Sequence, residues 1–307
     1  MAALLTILGL ALFEIINSVD NAVINAEVLA KMGQKARRWF LLWGILLAVF
    51  LVRGILPWII IWITSGDLSL WQALVATLSS STEVTEAIEK SAPPLLVGAG
   101  VFLVFLFLHW IFLEEKTYGL VGERFIHRHG LWFYTTASVV LTAIVWVSIK
   151  TEPTIALGAV IGSTAFFMVH GFKENAESME KKMLEGSEKL SDWSKIMYLE
   201  AIDACFSIDG VLGAFAFTLS VPLILIGNGI GAIVVRQLTI GNIDRVKKFV
   251  FLKNGAMYSI LVLGLVMLAD GFGVHVPSWL SPVVTFVIIG WFLFKSLRAM
   301  KLPAVKC

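Results

Sequence analysis

Long apolar runs, separated by short charged stretches, organise the chain from end to end. Nine runs fit membrane crossings, at roughly 3–30, 39–63, 94–113, 131–149, 154–172, 196–219, 222–240, 249–269 and 279–297. Crossing the hydrocarbon takes about 20 residues of helix, and only helices or closed barrels satisfy their own backbone hydrogen bonds there. The pattern therefore predicts an all-α polytopic membrane protein with about nine transmembrane helices. The stretch from Trp71 to Ala92 is too polar to cross. It reads as an amphipathic or surface helix in an external loop, ended by Pro93-Pro94.

Two of the apolar runs are interrupted by nearly the same eight residues. EIINSVDN runs from Glu14 to Asn21, and DACFSIDG from Asp203 to Gly210. Both place an acid four residues before a serine, then a β-branched residue, an aspartate and a small residue. An ionisable side chain inside a membrane helix is a functional-site candidate. The similarity continues into the following runs, where Gly44 and Arg53, and Gly227 and Arg236, are each nine residues apart.

Charge distribution orients the chain. With the N-terminus outside, one set of loops and the tail hold 20 of the 24 Lys and Arg residues, among them Lys116, Lys173 and Lys295, while the opposite loops hold Lys90 and Lys150. The positive-inside rule makes the rich side cytoplasmic. Lys253 falls within a run, close enough to its end to snorkel to the cytoplasmic surface. The expected location is the inner membrane, multi-pass, with the N-terminus outside and the C-terminus in the cytoplasm. The two motifs then run in opposite directions, which is the signature of inverted-topology repeats. The division expected within a single transmembrane domain over 1–307 is a first repeat over 1–113, peripheral helices and a cytoplasmic loop over 114–195, a second repeat over 196–270, and a last helix and tail over 271–307. The segment 173–195, the longest cytoplasmic loop, has balanced charges that suggest a solvated helix, and it reads most simply as a connector between the two halves.

Composition agrees: 58% of residues are hydrophobic and 15% charged, with mean hydropathy +0.86, against about 25% charged in soluble domains. The basic residues lack the clustering and aromatic interleaving of a nucleic-acid surface. Cys205 and Cys307 build neither a disulfide framework nor a metal-spaced set. The N-terminal run, carrying Glu14 and Asp20, is read as a membrane helix and not a signal peptide. The expected contacts are lipid and a metal ion, and a homo-oligomer is compatible with them.

Glu14, Asp20, Asp203 and Asp209 would carry four negative charges if ionised. Arg53 and Arg236 offset two, and one divalent cation the rest. Asn17, Ser18, Asn21, Asn25 and Ser207 add neutral oxygen donors, and carboxylate with amide and hydroxyl oxygen suits Mg²⁺, Ca²⁺ or Mn²⁺. On an ideal helix Glu14, Asn17, Ser18, Asn21 and Asn25 share a face, whereas Asp20 lies roughly 120° from Glu14. A single shared site thus requires an unwound turn near Ser18–Asn21 or near Asp209. The acids could instead form structural salt bridges with the two arginines, or a proton relay. Glu200, one turn before Asp203, is a candidate for the cytoplasmic mouth or an interfacial acid. His170 and Glu174, four apart, could be a helical metal pair and read more simply as a surface pair. His109, Glu114 and Glu115 read as interfacial.

FEIINSVDNAVINAEVL resembles the first signature of the TerC family, and YLEAIDACFSIDGVLGAFAFT its second. PLILIGNGIGAIVVRQL resembles a further segment of that family through Asn228, Ala232 and Arg236, with Gly210 and Val234-Val235 as departures. The resemblance implies membership of the LysE-like transporter superfamily of inverted three-helix repeats, with members named for tellurium resistance and some associated with Mn²⁺ export. It implies metal transport at Glu14, Asp20, Asp203 and Asp209. The expectation is a non-enzymatic Mn²⁺ or Ca²⁺ efflux transporter without a prosthetic group, working by alternating access around a midplane carboxylate site. The alternatives are a non-transporting TerC-like scaffold or stress-resistance partner, and an intramembrane aspartyl hydrolase using Asp20 and Asp209.

Overall fold

A computed structural model describes residues 2–30, 32–44, 54–55, 58–59, 62, 69–71, 82–184, 191–241 and 248–301. Among the described residues every regular element is helical. They are α1 (Ala2–Asn17), α2 (Val19–Ala30), α3 (Gln34–Trp39) followed by a π turn over Phe40–Gly44, α4 (Thr82–Leu113), α5 (Glu123–Arg128), α6 (Trp132–Thr151), α7 (Pro153–Leu184), α8 (Asp192–Ala214), α9 (Val221–Gly241), α10 (Leu252–Gly271) and α11 (Leu280–Lys301). Six of these hold stretches long and apolar enough to cross a membrane: Ala92–Leu113, Trp132–Thr151, Pro153–Asn175, Val221–Leu238, Leu252–Gly271 and Leu280–Met300. The protein is a multi-pass helical membrane protein. The run expected at 39–63 lies largely outside the described residues, as does Arg53.

Helix α4 is the centre of the bundle. Of its apolar stretch 83% is buried in protein, against 17% for α6, which faces outward. It packs between α7 and α10, and glycines set the spacing on both sides. A methyl group at Gly98 would lie 2.7 Å from the Gly158 carbonyl oxygen, and one at Gly100 would lie 2.9 Å from that of Gly264. The Gly162 Cα faces the Gly98 backbone just as closely. Where lipid is as apolar as leucine, helix association depends on such close backbone approach. A second small-residue seam joins α1 to α9: Gly227 faces Leu10, and Gly231 faces Ala11 and Glu14.

Three expectations change. Pro93-Pro94 does not end a surface helix; α4 runs through both prolines from Thr82. Proline is tolerated inside membrane helices because neighbouring helices help satisfy the freed backbone groups; α7 packs beside this turn, with Gly158 close against the Pro94 backbone. The segment after 172 is helical, as its balanced charges suggest, but it continues the preceding span as one helix, α7, to Leu184. The run at 3–30 is two helices meeting at Ser18.

At the end of the bundle marked by basic loops, Glu123 is 1% exposed. Its carboxylate accepts from the Gly119 amide (2.6 Å), the Asn254 side-chain amide (3.2 Å) and the Tyr258 hydroxyl (3.0 Å). Nearby, Lys253 does not snorkel freely but pairs with Glu114 at 2.8 Å. Burial opposes ionisation of Glu114, yet the neighbouring His109 and the Lys253 charge outweigh it and hold its pKa at about 2.

Gly162→Leu should disrupt the α4–α7 seam, because overpacking a tight contact costs about 1–3 kcal/mol or more. Gly290→Leu, at a position with open space around the Cα, should leave stability nearly unchanged. The thermal midpoint of the detergent-purified protein separates the two.

Candidate functional site

The two motifs meet. Gly210 lies against the first motif, and a Cβ there would sit 3.2 Å from Glu14 Oε2 and 3.7 Å from Asn17 Nδ2. A turn or more further along each helix, the Asn25 amide donates to both Asp203 oxygens, at 3.1 and 3.2 Å. Glu14, Asn25, Asp203, Ser207 and Asp209 are all buried, with Glu14 at 1% and Asp209 at 4% exposure. Gly210 is thus where the chain makes room: a side chain there would crowd the Glu14 carboxylate.

Each motif serine bonds back to the acid four residues earlier, but differently. Ser18 Oγ donates to the Glu14 carboxylate at 2.5 Å, whereas Ser207 Oγ donates to the Asp203 backbone carbonyl at 2.7 Å. Ser207 therefore stitches its own helix, as serine commonly does within helices.

Asp209 has a partner that the spacing of the motifs did not suggest. Lys173, 7% exposed and placed by the extension of α7, forms a very short ion pair with Asp209 Oδ2. Among the described residues Asp209 Oδ1 has no hydrogen-bond partner. Arg236, expected to offset the acids, makes no ion pair with a described residue, and its Nε is buried without a partner. Lys173 had been counted with the cytoplasmic loops because it follows the apolar part of its run. The helical register from Pro153 is the signal that would have carried it inward.

The break expected near Ser18 is slight. α1 and α2 part there, yet Ser18 N still bonds Glu14 O at 3.0 Å and Ala22 N still bonds Ser18 O at 2.9 Å. The second motif shows no break, because α8 continues through Asp209 and Gly210 to Ala214. The side chains of Asp20 and Asn21 lie outside the described residues. Glu200 packs against Gly44 in the π turn, with Oε1 buried and unpartnered.

Ile16, two residues past Glu14, shares an apolar cluster with Leu252, the first residue of α10, and Lys173 follows twenty residues of α7. Asn228 adds to the polar surroundings on the α9 seam: it is 1% exposed, and among the described residues neither its amide nitrogen nor its oxygen has a partner. A buried polar group left unpaired costs about 1–3 kcal/mol, so such groups mark places where a ligand or ion would be stabilising. The donors assembled here, carboxylate and amide oxygens, suit a hard divalent cation.

The family described as "Protein of unknown function (DUF475)" matches residues 19–302, and the chain belongs to it. A relative in Bacillus subtilis (strain 168), described as "Uncharacterized membrane protein YceF", is 26% identical over 181 residues, covering 57% of this chain and 64% of the relative. The match thus spans a little under two thirds of that relative. No solved structure matches.

Removing the cation of a buried ion pair leaves an uncompensated charge, at a cost of about 3–5 kcal/mol. Lys173→Met should therefore lower the thermal midpoint sharply, and Lys173→Met with Asp209→Asn should recover much of the loss. Additive effects in this cycle would mean the two residues are not coupled.

Proposed function

We propose that this DUF475 protein carries a divalent cation across the membrane, with Glu14, Asp203 and Asp209 as its carboxylate ligands and Asn17 and Asn25 assisting. One observation supports this most: two copies of the same acid-bearing motif, far apart in sequence, face each other with Glu14 beside Gly210. Salt bridging to arginine does not account for Asp209, whose ion-pair partner among the described residues is Lys173. Asp20, Asn21 and Ser18 complete the ligand set in this reading, and Glu200 stands at its cytoplasmic mouth.

Mn²⁺ or Ca²⁺ is the proposed cargo, because both accept an all-oxygen, carboxylate-rich shell. Efflux is the proposed direction, in keeping with the resemblance to the TerC family. The proposed arrangement is two inverted three-helix repeats within about nine spans of the inner membrane, N-terminus outside and C-terminus cytoplasmic, rocking to alternate access. Lys173 then acts as a resident counter-cation for Asp209. An arriving metal displaces its ammonium from the carboxylate, and the ammonium returns as the metal leaves. Metal binding requires ionised carboxylates, and an ammonium beside Asp209 favours the ionised form of its carboxyl. A hydrolase dyad is less well supported, because it needs two carboxylates sharing a proton, and Asp209 has an ammonium at its side.

Purified protein in liposomes enclosing a Mn²⁺-quenched dye should transport Mn²⁺, in competition with Ca²⁺. Glu14→Gln and Asp209→Asn should each reduce the initial rate at least tenfold, while Gly290→Ala should not change it. Equal rates in all four proteins would refute the assignment.

A further inference from the structure

A second cluster of metal-ligating side chains lies between α4 and α7. His109, near the end of α4, and His170, on α7, bring their rings to 3.7 Å between centroids at a 54° tilt. Glu174 follows His170 by one turn, with its carboxylate 3.5 Å from His170 Nε2. One donor atom from each of the three lies within 4.8 Å of the others. His109 is 8% exposed, and among the described residues its Nδ1 and both ring nitrogens of His170 have no hydrogen-bond partner. Two facing imidazoles with three unpartnered nitrogens are poorly explained by packing alone, since buried polar groups are normally hydrogen-bonded.

We infer that His109, His170 and Glu174 form a binding site for an imidazole-preferring divalent ion of the Zn²⁺ class, clamping α4 to α7. Two histidines and a carboxylate are a recurrent zinc ligand set, leaving a fourth position for water or another ligand. Tetrahedral zinc with bonds of about 2.0–2.1 Å holds its ligand atoms about 3.4 Å apart. Closing from the observed spread takes a modest side-chain rotation, and Glu174, on the exposed side of the cluster, has room to make it. Phe133 and Phe166 wall the rings, with Phe166 stacked on His170 at 5.5 Å, and so limit competing water.

The surrounding charges permit a cation. Lys173, the next basic residue along α7, is engaged by Asp209, and Lys253 by Glu114. Glu114 Oε1 also lies 3.9 Å from His109 Nδ1, within reach as a fourth ligand or as the group that orients the ring. The position gives the ion a consequence. Lys173 sits between His170 and Glu174 on one helical turn, so a metal there fixes the turn that presents the lysine to Asp209. This inference does not rest on the transport reading, because its ligands belong to other helices and to a different class of donor. Nitrogen ligands favour Zn²⁺, Co²⁺ and Ni²⁺ over Ca²⁺.

The test is Co²⁺ titration of the purified full-length protein in detergent, followed by visible absorption and then by Zn²⁺ back-titration. One equivalent of Co²⁺ should give a ligand-field spectrum that one equivalent of Zn²⁺ abolishes. His109→Gln and His170→Gln should each weaken binding at least tenfold, and His170→Cys should retain binding with a new thiolate charge-transfer band. Glu14→Gln should leave the spectrum unchanged, so loss of transport and loss of this site are separately readable. Absence of the spectrum in the wild-type protein, or its persistence in the monodisperse double histidine variant, overturns the inference.

Discussion

A carboxylate enclosed by an apolar helix bundle needs a compensating charge, and most of the organisation around the paired motifs can be traced to that need. Asp209 is almost fully buried, and Lys173 reaches it from another helix. For the lysine to arrive there, α7 must continue as a helix past its apolar part and press closely against the centre of the bundle. The glycine contacts of Gly98 with Gly158 and Gly162 permit this approach. The ion pair and the tight seam are therefore two parts of one constraint: close backbone packing brings the counter-charge within reach.

The same logic explains the contrast between the two motifs. They share a sequence pattern but not an environment. Glu14 is met by the hydroxyl of Ser18 and faces Gly231 and Gly210, whereas Asp209 is met by an ammonium and Asp203 by an amide. Three acids of similar intrinsic chemistry thus have three kinds of partner. A cation entering such a cluster would find one carboxylate already holding a charge that could be exchanged. A fixed structural pair and a displaceable counter-ion look alike at rest, and the difference between them lies in whether the charge can be exchanged at modest cost.

Beyond the motifs, the end of the bundle marked by basic loops is held by a polar network. Glu123 gathers Gly119, Asn254 and Tyr258, while Lys116 donates to the carbonyls of Ile111 in the last turn of α4 (2.9 Å) and of Glu114 just past its end (3.3 Å). Burial lowers the pKa of Lys116 to about 8, with the neighbouring Glu114 and Glu123 opposing the shift. These contacts join the segment over 114–123 to α4 and α10.

The sequence alone determined the membrane character, the helical class and the position of the unusual acids, because twenty-residue apolar runs and buried charges are local features that no folding rearrangement can erase. Six of the predicted crossings, including those after Pro94, Pro153 and Val221, coincide with apolar helices. The doubled motif was likewise legible, since it is a pattern of residue types. Partnerships were not. Nothing in the spacing assigns Lys173 to Asp209 and not Arg236, or pairs Asn25 with Asp203 across 178 residues, because both depend on how closely helices approach. Helix continuity through Pro93-Pro94 also escaped local rules, which treat proline as a stop unless neighbouring helices compensate. The tertiary structure decided which charges meet, and it did so through glycine seams whose fit can be judged only once the helices are packed.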